Sequence, residues 1–249
     1  MRFPHTIILC AILTVAGVGA FLLFSGGEDT HSPVDVRVPD WRKDVEAVPG
    51  LSAEAKAEEH YRALGDASER MKLIDWIAGQ PWARPNRGVL AKAMATDADE
   101  SVRLHALAKS LELGERTGQA EAKREILRAA FGSDNPAVAQ AAMLHTHEHP
   151  DSALVPDLLK YADDLSDPRT LSCWTALALI DDPIAKAKIL DLARDTSLPH
   201  AHRVRAVTLL AKHPNPAARP LLESLAASDD HDLQLAAQAV LEEFARKGA

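Results

Sequence analysis

From residue 52 onward the apolar positions of the chain fall at helical spacing almost without interruption, and two patterns alternate. The first sets paired apolar residues one turn apart. Val89/Leu90 with Ala93/Met94, Ile126/Leu127 with Ala130/Phe131, Leu158/Leu159 with Ala162, Ile189/Leu190 with Ala193, and Leu221/Leu222 with Leu225/Ala226 recur at spacings of 37, 32, 31 and 32 residues. The second sets an i, i+3, i+4 face. Leu104/Leu107/Ala108, Ala139/Ala142/Met143, Cys173/Ala176/Leu177, Ala206/Leu209/Leu210 and Ala237/Val240/Leu241 recur at 35, 34, 33 and 31. Two registers sharing one period predict a repeating helix pair. Each pair carries too little apolar surface to form a core alone, so it buries its faces against its neighbours. Upstream, Ala53–Leu64 and Ser68–Ala78 predict one further pair, with Met71, Ile74, Ile77 and Ala78 on one face, for about six pairs in all. The fold class expected is all-α, an α-α superhelix whose first and last pairs act as caps.

Breaks fall between the apolar runs. Asn135-Pro136, Asp167-Pro168, Asp182-Pro183, His149-Pro150 and His213-Pro214 each combine a proline, which suits a first helical turn and breaks a helix interior, with a polar residue able to cap. Composition agrees with a thin core: 47% of the 249 residues are hydrophobic but only 4% aromatic, and stacked helices pack well on Leu, Ala and Val. Cys10 and Cys173 form no disulfide framework and read as small apolar residues.

The segment DESVRLHAL, with Asp99, Val102, Arg103, Ala106 and Leu107, and its partial echo at Val204, Arg205 and Leu209 resemble the HEAT-repeat family, in particular the short bacterial branch known from phycobilin-lyase subunits. The resemblance covers roughly residues 84–245. It implies a HEAT-like solenoid in which an Asp and an Arg of each repeat form a ladder along the stack, and it implies no particular function. Val138 and Ser172 stand where the ladder Arg belongs and Ala236 ends the series, so the ladder is broken. Arg103 and Arg205 then become local capping partners.

Thr6–Phe24 is an uncharged apolar run of 19 residues, which at helical rise spans about 28 Å, close to the thickness of a bilayer core. Arg2 precedes it, and Glu28 and Asp29 follow. Residues 1–24 therefore predict an N-terminal transmembrane anchor with its start in the cytoplasm and the helical part outside, periplasmic in a bacterium. A signal sequence cleaved after Ala20 is the rival, but Phe21–Phe24 continues the apolar run past that point. Residues 25–50, with three glycines and three prolines, predict a flexible linker before a helical domain at 51–249.

The most suggestive stretch for chemistry is His145-Thr146-His147-Glu148-His149. His145 and His149 share a helical face one turn apart, and His147 points elsewhere. One reading is a metal or lyase-type site on a repeat scaffold. The other is a basic helix C-terminus favoured by the helix dipole, an arrangement that His213-Pro214 repeats. We take the second, because no further ligand lies nearby in sequence. No nucleophile, base and orienting acid occur at meaningful spacing, and no cofactor is expected. The residues expected to face a partner are Arg103, His105, Gln140, Trp174, Arg205 and Gln238. Trp174 serves as an aromatic anchor in that mostly polar column, or else plugs the seam between units. Trp76 and Trp82 border the first pair and cover an end of the stack. The net charge of −8 opposes nucleic-acid binding, including the activity of the HEAT-like alkylated-base glycosylases. The expectation is a non-catalytic, membrane-tethered scaffold for a protein or peptide partner.

Overall fold

A computed structural model describes residues 40–49 and 51–248. All their regular structure is helical, with no strand. Thirteen α-helices follow one another: α1 (Asp40–Glu46), α2 (Leu51–Ala63), α3 (Ala67–Ala78), α4 (Gly88–Thr96), α5 (Glu100–Arg116), α6 (Ala120–Phe131), α7 (Pro136–Glu148), α8 (Val155–Leu158), α9 (Thr170–Leu179), α10 (Pro183–Arg194), α11 (His200–Leu209), α12 (Arg219–Ala226) and α13 (His231–Arg246). The expected anchor at 6–24 lies outside the described residues. Among the described residues no helix is long and apolar enough to cross a membrane.

Neighbouring helices pair, and the pairs stack. α3, α5, α7, α9, α11 and α13 each pack on the next, forming one continuous layer. α2, α4 and α6 pack in the same manner, and the segment beginning at Ser152 follows α6, in a layer alongside. The paired apolar residues expected of the first pattern lie between the layers. Val89, Leu90, Ala93 and Met94 of α4 are buried, as are Ile126, Leu127, Ala130 and Phe131 of α6 and Ile189, Leu190 and Ala193 of α10.

Capping explains where the helices begin. Asp99 accepts hydrogen bonds from the amides of Ser101 and Val102, Asn135 from Ala137 and Val138, and Asp182 from Ile184 and Ala185, with proline in the first turn of the last two helices. Between the first two pairs sits a buried polar network. The Arg70 guanidinium lies 2.9 Å from the carboxylate of Asp97, which also accepts from the Tyr61 hydroxyl.

Three expectations need correction. The linker expected through residue 50 contains α1, whose Trp41 and Val45 are buried, with Trp41 edge-on to Trp76 at 5.3 Å. The proline and glycine signals of that stretch gave no weight to an i, i+4 apolar pair that docks once a receiving surface exists. The helix expected around Leu158 is broken into two short 3-10 turns, Ser152–Leu154 and Leu159–Tyr161, flanking the single turn of α8. Leu154, Val155, Leu158 and Ala162 still fill the layer. Finally, the predicted face of α5 is displaced: Leu104 is half-buried and Ala108 exposed. The buried trio is Ala106/Leu107/Ser110, matching Ala142/Met143/Thr146, Ala176/Leu177/Ile180 and Ala206/Val207/Leu210 in the following pairs. In that register Arg103 corresponds to Arg203, and His105 to Arg205. The quoted echo is therefore two residues out of structural step.

Cys173 lies within this core, its thiol against the carbonyl of Leu158, and burial pushes its pKa up to about 12. We expect Cys173 to resist alkylation in the native chain and to label fully in denaturant, read by peptide mass spectrometry. Comparable labelling in both states would contradict the burial.

Candidate functional site

The last carbonyls of a helix have no partner within it, and something must satisfy them. At three junctions of the α3–α13 layer, the following helix or the residues just past it do so. The Arg116 guanidinium, at the end of α5, donates to the carbonyl of Ala78 at the end of α3. The His213 Nε2, just past α11, donates to the carbonyl of Leu179 at the end of α9, at 2.9 Å. The Lys247 Nζ, just past α13, donates to Ala211 and Lys212 beyond α11, at 2.9 and 3.0 Å. Arg116 and Lys247 also sit where the negative end of a helix dipole favours a cation.

The junction of α5 and α7 is built differently. There the end of α7 meets a carboxylate instead of a carbonyl. His145 Nε2 lies 3.7 Å and His149 Nδ1 3.9 Å from Glu115 Oε1 on α5. The two imidazoles stack with centroids 4.5 Å apart and planes 29° apart. His147 points away, as helical geometry requires, and donates from Nε2 to the carbonyl of Ser172 at 3.0 Å. Burial, and then the neighbouring His149, hold the His145 pKa below the usual imidazole value; burial does the same for His147. Burial works to raise the Glu115 carboxyl, but the Lys123 ammonium at 3.3 Å and the two imidazoles outweigh it and hold the pKa low. The site therefore sets two imidazoles beside an ionised carboxylate, a donor set suited to a divalent metal. The expectation that His149 and His213 are two copies of one arrangement is corrected by these different partners. The spacing that places His145 and His149 on one face was legible. Glu115 was not, because it is 30 positions before His145 and reaches it only through the packing of α5 on α7.

The residues expected to face a partner divide. Trp174 is fully buried and its indole N–H donates to the carbonyl of Ala162 at 2.8 Å, so it is part of the core and no surface anchor. It shares its register position with Leu104, Gln140 and Val204, and its ring reaches into the irregular segment before α9. Arg103 is half-buried and caps the carbonyl of Asp97, the local role expected once the ladder is broken. Arg205 instead bridges α11 to α9, donating to the Leu171 carbonyl at 3.1 Å and to Thr175 Oγ1 at 2.9 Å. His105 bridges α5 to α3 through Asp75 at 2.8 Å. Gln140 is exposed and accepts from Ser172 Oγ at 3.0 Å, joining α7 to α9. Gln238 is exposed on α13.

No protein-family model matches the chain, and no curated protein matches it either.

Replacing Trp174 by Ala should cost about 3–5 kcal/mol of stability, the range for deleting a large buried aromatic. The loss should show as a lower denaturation midpoint. An unchanged midpoint would return Trp174 to the surface.

Proposed function

We propose that the chain is a membrane-tethered, extracytoplasmic HEAT-like solenoid that binds a protein or peptide partner and is not itself a catalyst. One observation supports this above the others: the α3–α13 layer carries a row of polar side chains that reach from one helix to the next. His105–Asp75, Gln140–Ser172 and Arg205–Thr175 belong to it. In a superhelix of HEAT type this second layer lines the concave side. The row offers donors and acceptors held in place by their neighbours, which lowers the entropic cost of ordering them around an extended ligand. The tether rests on the sequence alone, on the uncharged run at 6–24 and the charges flanking it. The acidic balance of the chain disfavours a nucleic-acid partner. A second reading, a metal protein on the same scaffold, is favoured by the cluster of Glu115 with His145 and His149.

Photo-crosslinking residues placed at Gln140 and at Gln238 in intact cells should capture the same protein. The same probe at Ile184, exposed on α10 of the other layer, should not. Capture from Ile184 alone, or different proteins from the two second-layer positions, would end the reading.

A further inference from the structure

We propose that Glu115, His145 and His149 bind one divalent transition-metal ion of the zinc class, and that the ion closes the junction between α5 and α7. Two imidazoles and a carboxylate are a donor set that zinc accepts, and three protein donors leave a fourth position for water or for a donor from a bound partner. This inference does not depend on the scaffold reading.

The three donor atoms lie within 4.8 Å of one another. With metal–ligand lengths of about 2.0–2.1 Å, donors around a tetrahedral ion sit about 3.3 Å apart. The separations of 3.7 and 3.9 Å from Glu115 Oε1 to the imidazole nitrogens exceed this by only a few tenths of an ångström. The side chains of Glu115 and His149 are 42% and 48% exposed, so their rotation closes the gap with both helices in place.

A second observation points the same way. His145 Nε2 is shielded from solvent and has no hydrogen-bond partner. A buried polar atom left unsatisfied is costly, and here the atom is the one that faces Glu115. His147, by contrast, is satisfied by a carbonyl, as is His213. The orphan atom faces a carboxylate, where His213 faces a carbonyl.

The charges around the site define the competition. Lys123 of α6 holds the same oxygen, Glu115 Oε1, at 3.3 Å. A metal ion has to displace that ammonium, and Lys123 therefore weakens binding. Glu148, next along α7, adds a negative charge felt by His145.

The test uses the full chain in detergent, without a histidine tag and stripped with a chelator, titrated with zinc chloride alone by calorimetry. We expect one saturable equivalent per chain and a rise in Tm with zinc, since a ligand bound only by the native state stabilises it. Glu115→Gln and His145→Gln should each weaken binding at least tenfold with the far-ultraviolet circular dichroism unchanged. Lys123→Met should tighten it, a gain that damage to the fold does not produce. His213→Gln, whose imidazole caps a carbonyl elsewhere, should leave the affinity as it was. No saturable equivalent, several weak equivalents, an affinity unmoved by Glu115→Gln, or a dependence on His213 would each overturn the proposal.

Discussion

No helix pair in this chain can hide its apolar faces by itself, and the stack is the consequence. α5 shows this most clearly: it packs on α4 beside it, on α3 before it and on α7 after it. Its Val102, Ala106, Leu107, Leu111 and Leu113 are all buried among them. Removing water from apolar surface is favourable at roughly 25 cal/mol per Å², and here that gain is made partly within each pair and partly with its neighbours in the stack. Stability is then distributed along the chain instead of concentrated in one core. That is why small residues serve: Ala57, Ala93, Ala130, Ala142, Ala176, Ala193, Ala206 and Ala237 are fully buried, letting successive helices approach closely.

The same constraint makes the ends special. A terminal pair has one neighbour and must cover its open face differently. At the beginning, Trp41, Trp76 and Trp82 form a chain of edge-on contacts at 5.3 and 6.1 Å, with α1 laid against α2. The expectation that Trp76 and Trp82 border an end agrees with this, and Trp41 joins them. In α13 one face is committed, with Leu233, Ala237, Val240 and Phe244 buried, while Leu235 is 51% exposed.

What the chain disclosed in advance follows from how local each signal is. Period, helix class and caps such as Asn135 and Asp182 depend on residues within a turn of one another, and these were legible. Three features were not, for related reasons. α1 forms because α2 and Trp76 receive it, which propensity within residues 40–46 does not record. The echo beginning Val-Arg set Arg103 on Arg205, whereas burial sets it on Arg203; a three-residue match does not fix register when helix lengths differ. Trp174 occupies a position that is polar in α7, and its indole partner Ala162 lies just past the short turns that stand in place of a full helix at 155–161. Glu115 belongs to the same class, since which polar groups meet across a layer is decided by packing.

The α5–α7 junction shows how such a stack acquires chemistry. Each helix end requires a partner for its last carbonyls, and at three junctions a side-chain donor from the next helix or just past it supplies one, given by Arg116, His213 and Lys247. Histidine meets that need while also being able to serve as a neutral donor, so the step from cap to ligand is short. What separates His145 from His213 is what lies opposite: a carboxylate on the longest helix of the layer, where elsewhere there is a carbonyl. α5 runs 17 residues, to Arg116, and so carries Glu115 far enough to lie beside the end of α7. A repeat scaffold thus leaves its packing intact and changes function through helix length, one turn of which decides which group stands opposite the histidine at a helix end. Because coupling in a linear array passes between nearest neighbours, whatever stiffens this junction acts on both halves of the stack.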